Sequence, residues 1–189
     1  MEADHTAARA RFERIFDSYY AELTRFATRR VGPDTAGDVV ASTFLIAWRR
    51  VAEISTQHPR AWLYATARHV IANELRAQAR RDRLGARVGP ADAASVEDHA
   101  GQVSEQLRVG AVLAELSPAD QEVLRLTEWE GLDLAEVALV LGCSRTTAKV
   151  RLHRARRRFA AKLFATDGAD DRPYPIPPPP IVAEGSTQS

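Results

Sequence analysis

The sequence predicts an all-α protein built from two small helical domains joined by a linker. Apolar side chains recur three and four residues apart through residues 8–83 and again through 107–164, which is the spacing of one helix face. No stretch alternates apolar and polar side chains as a half-buried strand would. Residues that favour helix starts and ends stand at the boundaries of these periodic segments. A length of 189 residues allows one domain or two small ones, and the composition break near the middle favours two.

Residues 1–83 are predicted to form the first domain, with three helices. The first covers residues 8–30 and ends at Gly32-Pro33, because these two residue types break a helix. Asp34 can cap a second helix, whose apolar face includes Phe44 and Trp48. Residues 51–58 are predicted to be a loop, and Pro59 starts a third helix that reaches Arg83.

Two segments are predicted to lie outside the domains. Residues 84–107 are rich in Gly, Ala, Ser and acids without a sustained period, which predicts a flexible acidic linker. The tail from residue 165 to 189 contains the segment 173–181, which holds six of the ten prolines. This composition predicts an extended, disordered tail.

Residues 108–164 are predicted to form the second domain, which ends in a helix-turn-helix. Ser117-Pro118 is an N-cap followed by proline at the first helical position, with Asp120 where a capping box places its acid. After that helix, Asp133 can cap a short amphipathic helix and Gly142 can end it in the left-handed conformation. Ser144 can then cap a second helix. A short helix, a turn containing Gly and a second amphipathic helix form the helix-turn-helix pattern.

The second helix of this motif carries the strongest functional signal. Its inner stripe is Ala148, Leu152, Ala155 and Phe159, and its outer side is polar and basic. Between Gly142 and Phe164 the chain has eight basic residues and no acid. Such a helix offers an N-terminal dipole to phosphate, and cationic side chains to phosphates and guanine edges. The motif and the charge together predict contact with DNA, whereas a charge run alone is more often a solvated face.

Bulk properties limit the remaining classes of function. The net charge is only +1, but residues 1–83 hold fourteen Arg against ten acids, and 109–164 hold nine basic residues against seven acids. A single cysteine, Cys143, excludes an intramolecular disulfide, and the five His lack metal-ligand spacing, so we expect neither a metal site nor a cofactor. Neither a signal peptide nor a membrane span is evident, which predicts a cytoplasmic protein without membrane insertion. Ser117 and Ser144 are better explained as caps than as nucleophiles, so we expect no enzyme.

Two blocks of the sequence together resemble the sigma-70 family of bacterial transcription initiation factors, in its minimal extracytoplasmic-function (ECF) form. The first block resembles region 2 of the family and consists of Phe16–Leu23, Asp38–Trp48 and Pro59–Arg68. The second resembles region 4 and consists of Leu113–Leu124, Leu134–Ser144 and Ala148–Ala155. The resemblance implies a factor that binds core RNA polymerase, recognises the −35 and −10 promoter elements and helps to open the DNA. Members of this group are often held inactive by an anti-sigma factor, so such a partner is implied as well.

The resemblance also assigns residues to each surface. For the double-stranded −35 element we expect Lys149, Val150, His153 and Arg154 on bases, Arg145, Thr146 and Thr147 on phosphates, and Ser144 and Arg157 beside them. For the single-stranded −10 element the expected residues are Arg60, Trp62, Tyr64, Arg68, His69, Asn73 and Arg76. For core polymerase they are Asp38, Val39, Ser42, Thr43, Phe44 and Trp48. For Trp62, packing in the core is the favoured alternative, and the role of Tyr64 stays open.

An alternative interpretation is a dimeric helix-turn-helix regulator that acts at operators without being a polymerase subunit. It would need a sensor domain, and residues 1–83 show neither the βα alternation of a receiver nor a pocket signature. Within the polymerase-binding helix the chain departs from the usual family pattern. Gly37, Ala41 and Ser42 stand where an acid, Gln and Glu are usual.

Overall fold

The structure is a computed structural model that describes residues 2–84 and 100–166. All regular secondary structure in these two ranges is helical. The elements are α1 (Glu2–Arg49), a short 3-10 turn (Val51–Glu53), α2 (Pro59–Leu84), α3 (Ala100–Ala114), α4 (Pro118–Leu124), a π-helical turn (Arg125–Trp129), α5 (Leu134–Leu141) and α6 (Arg145–Thr166). The all-α prediction is confirmed.

Helix α1 is two helical arms joined at a kink. Gly32 leaves the helical conformation, with φ 77° and ψ 168°, and Pro33 follows it. The chain therefore turns back on itself, and the Phe12 ring of the first arm contacts the Trp48 ring of the second at 5.2 Å between centroids. The predicted break at Gly32-Pro33 is confirmed, although the first arm begins at Glu2 rather than at residue 8.

Helix α2 completes the first domain by packing against both arms of α1. Apolar side chains at helical spacing meet in its core, and the Phe26 and Tyr64 rings lie edge to face at 4.6 Å. This core is built from fully buried side chains on all three segments. Its members include Leu23, Phe26, Val40, Phe44, Ala61, Leu63, Tyr64 and Ala67.

The second domain follows the predicted caps closely. Ser117 accepts a hydrogen bond from the Asp120 amide at 3.2 Å, but the Asp120 carboxylate binds Arg158 of α6 instead of closing a capping box. Asp133 caps α5 in a complete capping box with Glu136. Gly142 ends α5 with φ 63° and ψ 39°, which is the left-handed conformation expected of a helix C-cap glycine.

The predicted linker differs from the structure at one end. Helix α3 begins at Ala100, inside the segment 84–107. Residues 85–99 and the tail from residue 167 lie outside the described residues, so the structure does not test the rest of these two predictions.

The two domains pack against each other, which the sequence did not predict. Helix α2 contacts α5, and the buried apolar side chains of both domains form one contiguous cluster. Arg68 of α2 donates from Nη1 to the carbonyl oxygen of Val140 at the end of α5, at 2.9 Å. The helix-turn-helix is therefore held on the first domain through its first helix, and this leaves α6 on the outside.

Candidate nucleic-acid interface

Helix α6 places the predicted −35 residues on one solvent-exposed surface. Ser144 caps the helix, and its Oγ accepts from the Thr147 amide at 3.1 Å. Ala148, Leu152 and Ala155 are buried against the rest of the domain. All nine predicted residues are exposed, namely Ser144, Arg145, Thr146, Thr147, Lys149, Val150, His153, Arg154 and Arg157. All nine residues are therefore accessible to solvent on α6 and its N-cap.

The basic residues of α6 fall into two groups. Arg156, Arg158 and Lys162 pair with acids of their own domain, at 2.7 Å to Glu128, 2.6 Å to Asp120 and 2.6 Å to Glu115. The second group has no ion-pair partner among the described residues and consists of Arg145, Lys149, Arg151, Arg154 and Arg157. Because only the second group is free of protein carboxylates, it is the group with charge available for DNA phosphates.

Helix α2 separates the predicted −10 residues onto two faces. His69, Asn73 and Arg76 are exposed at helical spacing on one face, and the half-buried Trp62 lies about two turns before His69. Arg76 donates to the Asn73 side-chain oxygen at 2.6 Å, and the His69 ring lies 2.7 Å from the Ala65 carbonyl oxygen. These contacts orient polar groups that remain accessible to a nucleic acid strand.

The other face of α2 is turned towards the second domain. Tyr64 is fully buried there, and burial raises its pKa far above the ordinary value, with Glu22 and Glu130 acting in the same direction. Arg60 and Arg68 flank it and are bound by protein groups. In this conformation Tyr64, Arg60 and Arg68 do not lie on the exposed face that His69, Asn73 and Arg76 form, so the structure does not place all the predicted −10 residues on one surface.

Two carboxylates of the second domain pair with three arginines of the first. Glu130 is 1% exposed and accepts hydrogen bonds from Arg29 and Arg30. Glu122 pairs with Arg68 at 2.9 Å and with Arg30 at 3.4 Å.

Arg60 is tied both to the first domain and to the start of α5. It binds Glu22 and the Glu130 carbonyl oxygen, and it donates to the Gly131 carbonyl oxygen at 3.2 Å. Glu136 lies 3.6 Å away from the same guanidinium. Burial lowers the pKa of Arg60, but the carboxylates of Glu22 and Glu136 outweigh it and hold the pKa above the ordinary value. This guanidinium is therefore permanently charged, and both of its Nη atoms are bound, while Nε is buried without a hydrogen-bond partner.

A cleft beside the loop before α2 contains residues that the sequence analysis did not select. Its volume is about 240 Å³, and it lies between the first arm of α1 and the segment 55–59. Arg11 anchors the loop through the Ile54 carbonyl oxygen, and the Ser55 hydroxyl accepts from the amides of Gln57 and His58, each at 3.2 Å. The polar lining residues are Arg11, Arg14, Ser18, Tyr19, Ser55 and Thr56. In the sequence, the predicted loop 51–58 and Pro59, as the start of α2, were the only signals of this site.

The second arm of α1 presents a mixed face to solvent. Of the six residues predicted to bind polymerase, Asp38, Ser42 and Trp48 are exposed, while the other three are buried in the domain core. The Thr43 hydroxyl donates to the Val39 carbonyl oxygen at 2.7 Å, and Phe44 packs on the rings of the first arm. Leu45 was missed by the sequence analysis and is 50% exposed on this face, beside Trp48 at 42%. Two large apolar side chains one turn apart suit a protein partner.

Metal sites and membrane-spanning helices are not found in the described part of the chain. Within residues 2–84 and 100–166, no group of three or more His, Cys, Asp or Glu side chains is placed to hold a metal ion. None of the described helices combines the length and apolar character that crossing a membrane requires.

Comparison with known proteins identifies both domains. Residues 15–81 match the family model for sigma-70 region 2, and residues 106–159 match the model for sigma-70 region 4. The ECF RNA polymerase sigma factor SigL of Mycobacterium tuberculosis is 33% identical over 154 residues, which is 79% of this chain and 86% of SigL. The ECF sigma factor BldN of Streptomyces coelicolor is 34% identical over 160 residues, covering 80% of this chain and 60% of BldN.

Solved structures agree with this assignment. CnrH, in complex with the cytosolic domain of CnrY, is 26% identical with a TM-score of 0.57, over 82% of this chain and 88% of that chain. The sigma factor RpoE of Bartonella quintana, crystallised with the anti-sigma factor NepR, shares the fold at 24% identity and a TM-score of 0.63, over 81% of this chain and 96% of that one. The chain belongs to the ECF group of the sigma-70 family, and it is a sigma factor that directs RNA polymerase to promoters.

Proposed function

We propose that this sigma factor reads the −35 duplex with the outer face of α6 and captures the −10 single strand with the exposed face of α2. The observation that carries this assignment is the division of charge on α6, where five cations are free of protein carboxylates and three are not. A helix whose outer face carries unpaired cations and no acid fits the major groove of duplex DNA.

On α6 the residues divide by position along the helix. Arg145, Thr146 and Thr147 lie at its N-terminal end, where backbone amides and the helix dipole favour a phosphate. Lys149, His153 and Arg154 lie in the following two turns and are the candidates for base edges. An Arg or Lys that binds guanine through two hydrogen bonds gives about 1–3 kcal/mol of discrimination.

On the first domain the proposed strand-binding surface combines two features, one along α2 and one beside its first residue. His69, Asn73 and Arg76 supply hydrogen-bonding groups and charge along α2. The cleft beside residues 55–59 supplies the Tyr19 ring and the Arg11 and Arg14 guanidiniums, which are groups that stack on or hold an unpaired base. Stacking of each base on a flat side chain contributes about 1–3 kcal/mol, so several such contacts offset the cost of unpairing DNA. We therefore include the cleft in the −10 surface.

We assign Arg60 and Arg68 to the domain interface rather than to the −10 surface. Both guanidiniums already bind carboxylates or carbonyl oxygens of the second domain. Moving them to DNA would leave these acceptors to find new partners, since Glu122 and Glu130 are largely withdrawn from solvent.

The polymerase-binding face is the exposed side of the second α1 arm. Leu45 and Trp48 supply apolar area, and Asp38 and Ser42 supply polar contacts at the edge of the same face. This division, with apolar anchors surrounded by polar groups, is typical of protein interfaces. Gly37 and Ala41 add no polar side chain, so the apolar pair has the larger share of the binding energy here.

Further partners and the setting follow from the family. We propose that the protein acts in the cytoplasm with core polymerase and that an anti-sigma factor controls it, as NepR is found with RpoE of Bartonella quintana. A dimeric operator-binding regulator is not favoured, because the first domain matches sigma-70 region 2 rather than a sensor.

The test is transcription in vitro from a randomised promoter pool, with core polymerase in the presence and absence of this protein. We expect protein-dependent transcripts whose templates share a two-part motif at fixed spacing. Specific DNA binding by the protein alone, with no transcription, would instead support the operator-binding regulator. A variant with Leu45→Ala and Trp48→Ala serves as a matched control, because it should lose transcription and retain −35 binding.

A further inference from the structure

An apolar groove on the second domain lies beside the −35 surface and is empty of described residues. It has a volume of about 470 Å³ and runs between α3, the π-helical turn and α6. Leu113, Leu124 and Phe159 form its apolar walls, and Trp129 stands at its edge with 45% of its surface exposed. A large exposed indole beside aliphatic walls is a binding surface for an extended apolar segment.

The rim of this groove is basic on the α6 side. Arg156 and Arg157 both line it, together with His153. Arg156 is paired with Glu128 at 2.7 Å, whereas Arg157 has no ion-pair partner among the described residues. The groove therefore offers an aromatic side chain, aliphatic walls and an unpaired guanidinium, a combination that suits a segment rich in proline and preceded by acids.

The chain itself contains a segment of this composition. The α6 helix ends at Thr166, and the next residues include the acids Asp167, Asp170 and Asp171. They are followed by the single cation Arg172 and then by the segment 173–181, in which Tyr174 and Ile176 alternate with prolines. We infer that residues 173–181 dock, as an extended proline-rich strand, into the groove between α3, the π-helical turn and α6 of the same molecule.

The length of the connection permits this docking. At a rise of about 1.5 Å per residue, Thr166 lies about 9 Å beyond Ala160 and about 20 Å beyond His153 along the helix axis. The six residues 167–172 span up to about 20 Å when extended, which covers the return to either end of the groove. Prolines lose little conformational freedom on binding because their φ is already fixed, so an extended strand of this kind docks at a small entropic cost.

The charges act in the same direction. The three Asp residues precede the prolines by two to six positions, so they pass the basic side of α6 as the chain returns. Among the cations of α6 without an ion-pair partner in the described residues, Arg157 is the closest to them in sequence. Since His153 and Arg157 belong to the proposed −35 surface, the docked tail reduces binding to −35 DNA. This consequence rests on the proposed function, whereas the docking itself does not.

The first test is hydrogen exchange of the groove amides in three chains. They are the full chain, the full chain with Tyr174→Ser and Ile176→Ser, and a chain that ends at Thr166. The double variant keeps length, charge and every proline, so it is matched to the full chain in all but the two apolar side chains. We expect slower exchange at residues 107–113, 124–129 and 153–160 in the full chain only. Equal exchange in all three chains would overturn the inference.

A second measurement identifies the source of the tail. Self-docking is independent of protein concentration, so protection that grows with concentration would mean that the tail of a second copy occupies the groove and would also overturn the inference. Adding a synthetic peptide of residues 167–189 to the chain that ends at Thr166 should restore the protection in trans. The same peptide with Tyr174→Ser and Ile176→Ser should not.

The DNA measurement separates this inference from the proposed function. Affinity for a −35 duplex should rise about fivefold or more when the tail is removed or carries the two serines. Groove protection without any change in DNA affinity would still support docking, and it would count against the assignment of His153 and Arg157 to the −35 surface.

Discussion

Arg30 donates from Nη1 to Oε1 of Glu130 at 3.1 Å and so joins the two domains across 100 positions of sequence. The Arg30 guanidinium also lies 3.7 Å above the Phe26 ring, and Arg29 binds the other oxygen of the same carboxylate. Glu130 is withdrawn from water, so its charge depends on these two partners. The pair fixes the position of the second domain on the first.

Substitution of Glu130 by Ala should weaken this domain contact substantially. Removal of one partner of a buried ion pair costs about 3–5 kcal/mol, because the remaining charge is left without compensation. Glu128→Ala is the matched control, since Glu128 is about half exposed and pairs only with Arg156 of its own domain. An exposed pair contributes about 0–1 kcal/mol.

Two measurements check this prediction. We expect a lower midpoint of denaturant unfolding and a larger radius of gyration by small-angle X-ray scattering for Glu130→Ala, and little change in either for Glu128→Ala. Identical behaviour of the two variants would show that the Arg30–Glu130 contact does not hold the domains together in solution.

Local features of the fold were predictable because their causes are local. The Asp133 cap, the Gly142 C-cap and the Ser144 cap each depend on residues within four positions of one another, so the sequence contains all the information needed. The break at Gly32-Pro33 has the same origin. The exposed face of α6 also follows from spacing alone, once Ala148 is taken as inward-facing.

The domain contact was not predictable for a physical reason. Arg30, Arg60 and Arg68 are ordinary basic residues in a helical pattern, and nothing in the spacing shows whether a carboxylate or a phosphate is their partner. Glu130 lies four positions after Leu126, and this spacing does not distinguish a buried acid at a domain interface from an exposed acid on the surface. Only the packing of the second domain on the first brings these arginines and their carboxylate partners together. The cleft lined by Arg11 and Arg14 was missed likewise, since it forms between α1 and a loop more than 40 positions later.

The exposed face of α2 can be tested with two arginines of the same helix. Arg76→Ala should weaken binding to a −10 single strand and reduce the salt slope of log K by about 0.7, the value for one phosphate contact on a single strand. Arg81→Ala is the control, because Arg81 points away from this face and is paired with Glu74 at 2.6 Å. Titration of labelled single strands at several salt concentrations gives both slopes. Equal effects of the two substitutions would indicate nonspecific attraction to a basic helix.

Tyr64 distinguishes a core role from a role in stacking on DNA. Its hydroxyl is buried without a hydrogen-bond partner, so Tyr64→Phe should leave stability unchanged or raise it by about 1 kcal/mol. Tyr64→Ala should cost about 3–5 kcal/mol, because it removes a buried ring in contact with Phe26. Neither the hydroxyl nor the ring is exposed, so Tyr64→Phe should retain full affinity for the −10 strand. A loss of that affinity at unchanged stability would place Tyr64 on the DNA surface after all.

Two glycines should respond to alanine in opposite directions. An added Cβ meets no atom within 4 Å at Gly37 or at Gly142, so sterics of the surroundings do not separate them. Gly37 lies in the second arm of α1, where Ala is favoured over Gly by about 1 kcal/mol. Gly142 has φ 63°, and a side chain in the left-handed region costs about 1–2 kcal/mol. Gly37→Ala should therefore stabilise the protein, and Gly142→Ala should destabilise it.

The same pair of variants also separates stability from DNA binding. Gly142 sets the turn that aims α6, so Gly142→Ala should lower affinity for the −35 duplex as well as the free energy of unfolding. Gly37→Ala lies in the other domain and should leave −35 affinity unchanged. Chemical denaturation and duplex titration of the two variants give both quantities. Unchanged −35 affinity in a destabilised Gly142→Ala variant would mean that α6 reaches the major groove of the DNA without the fixed turn. The charge of the helix-turn-helix would then matter more for binding than its geometry.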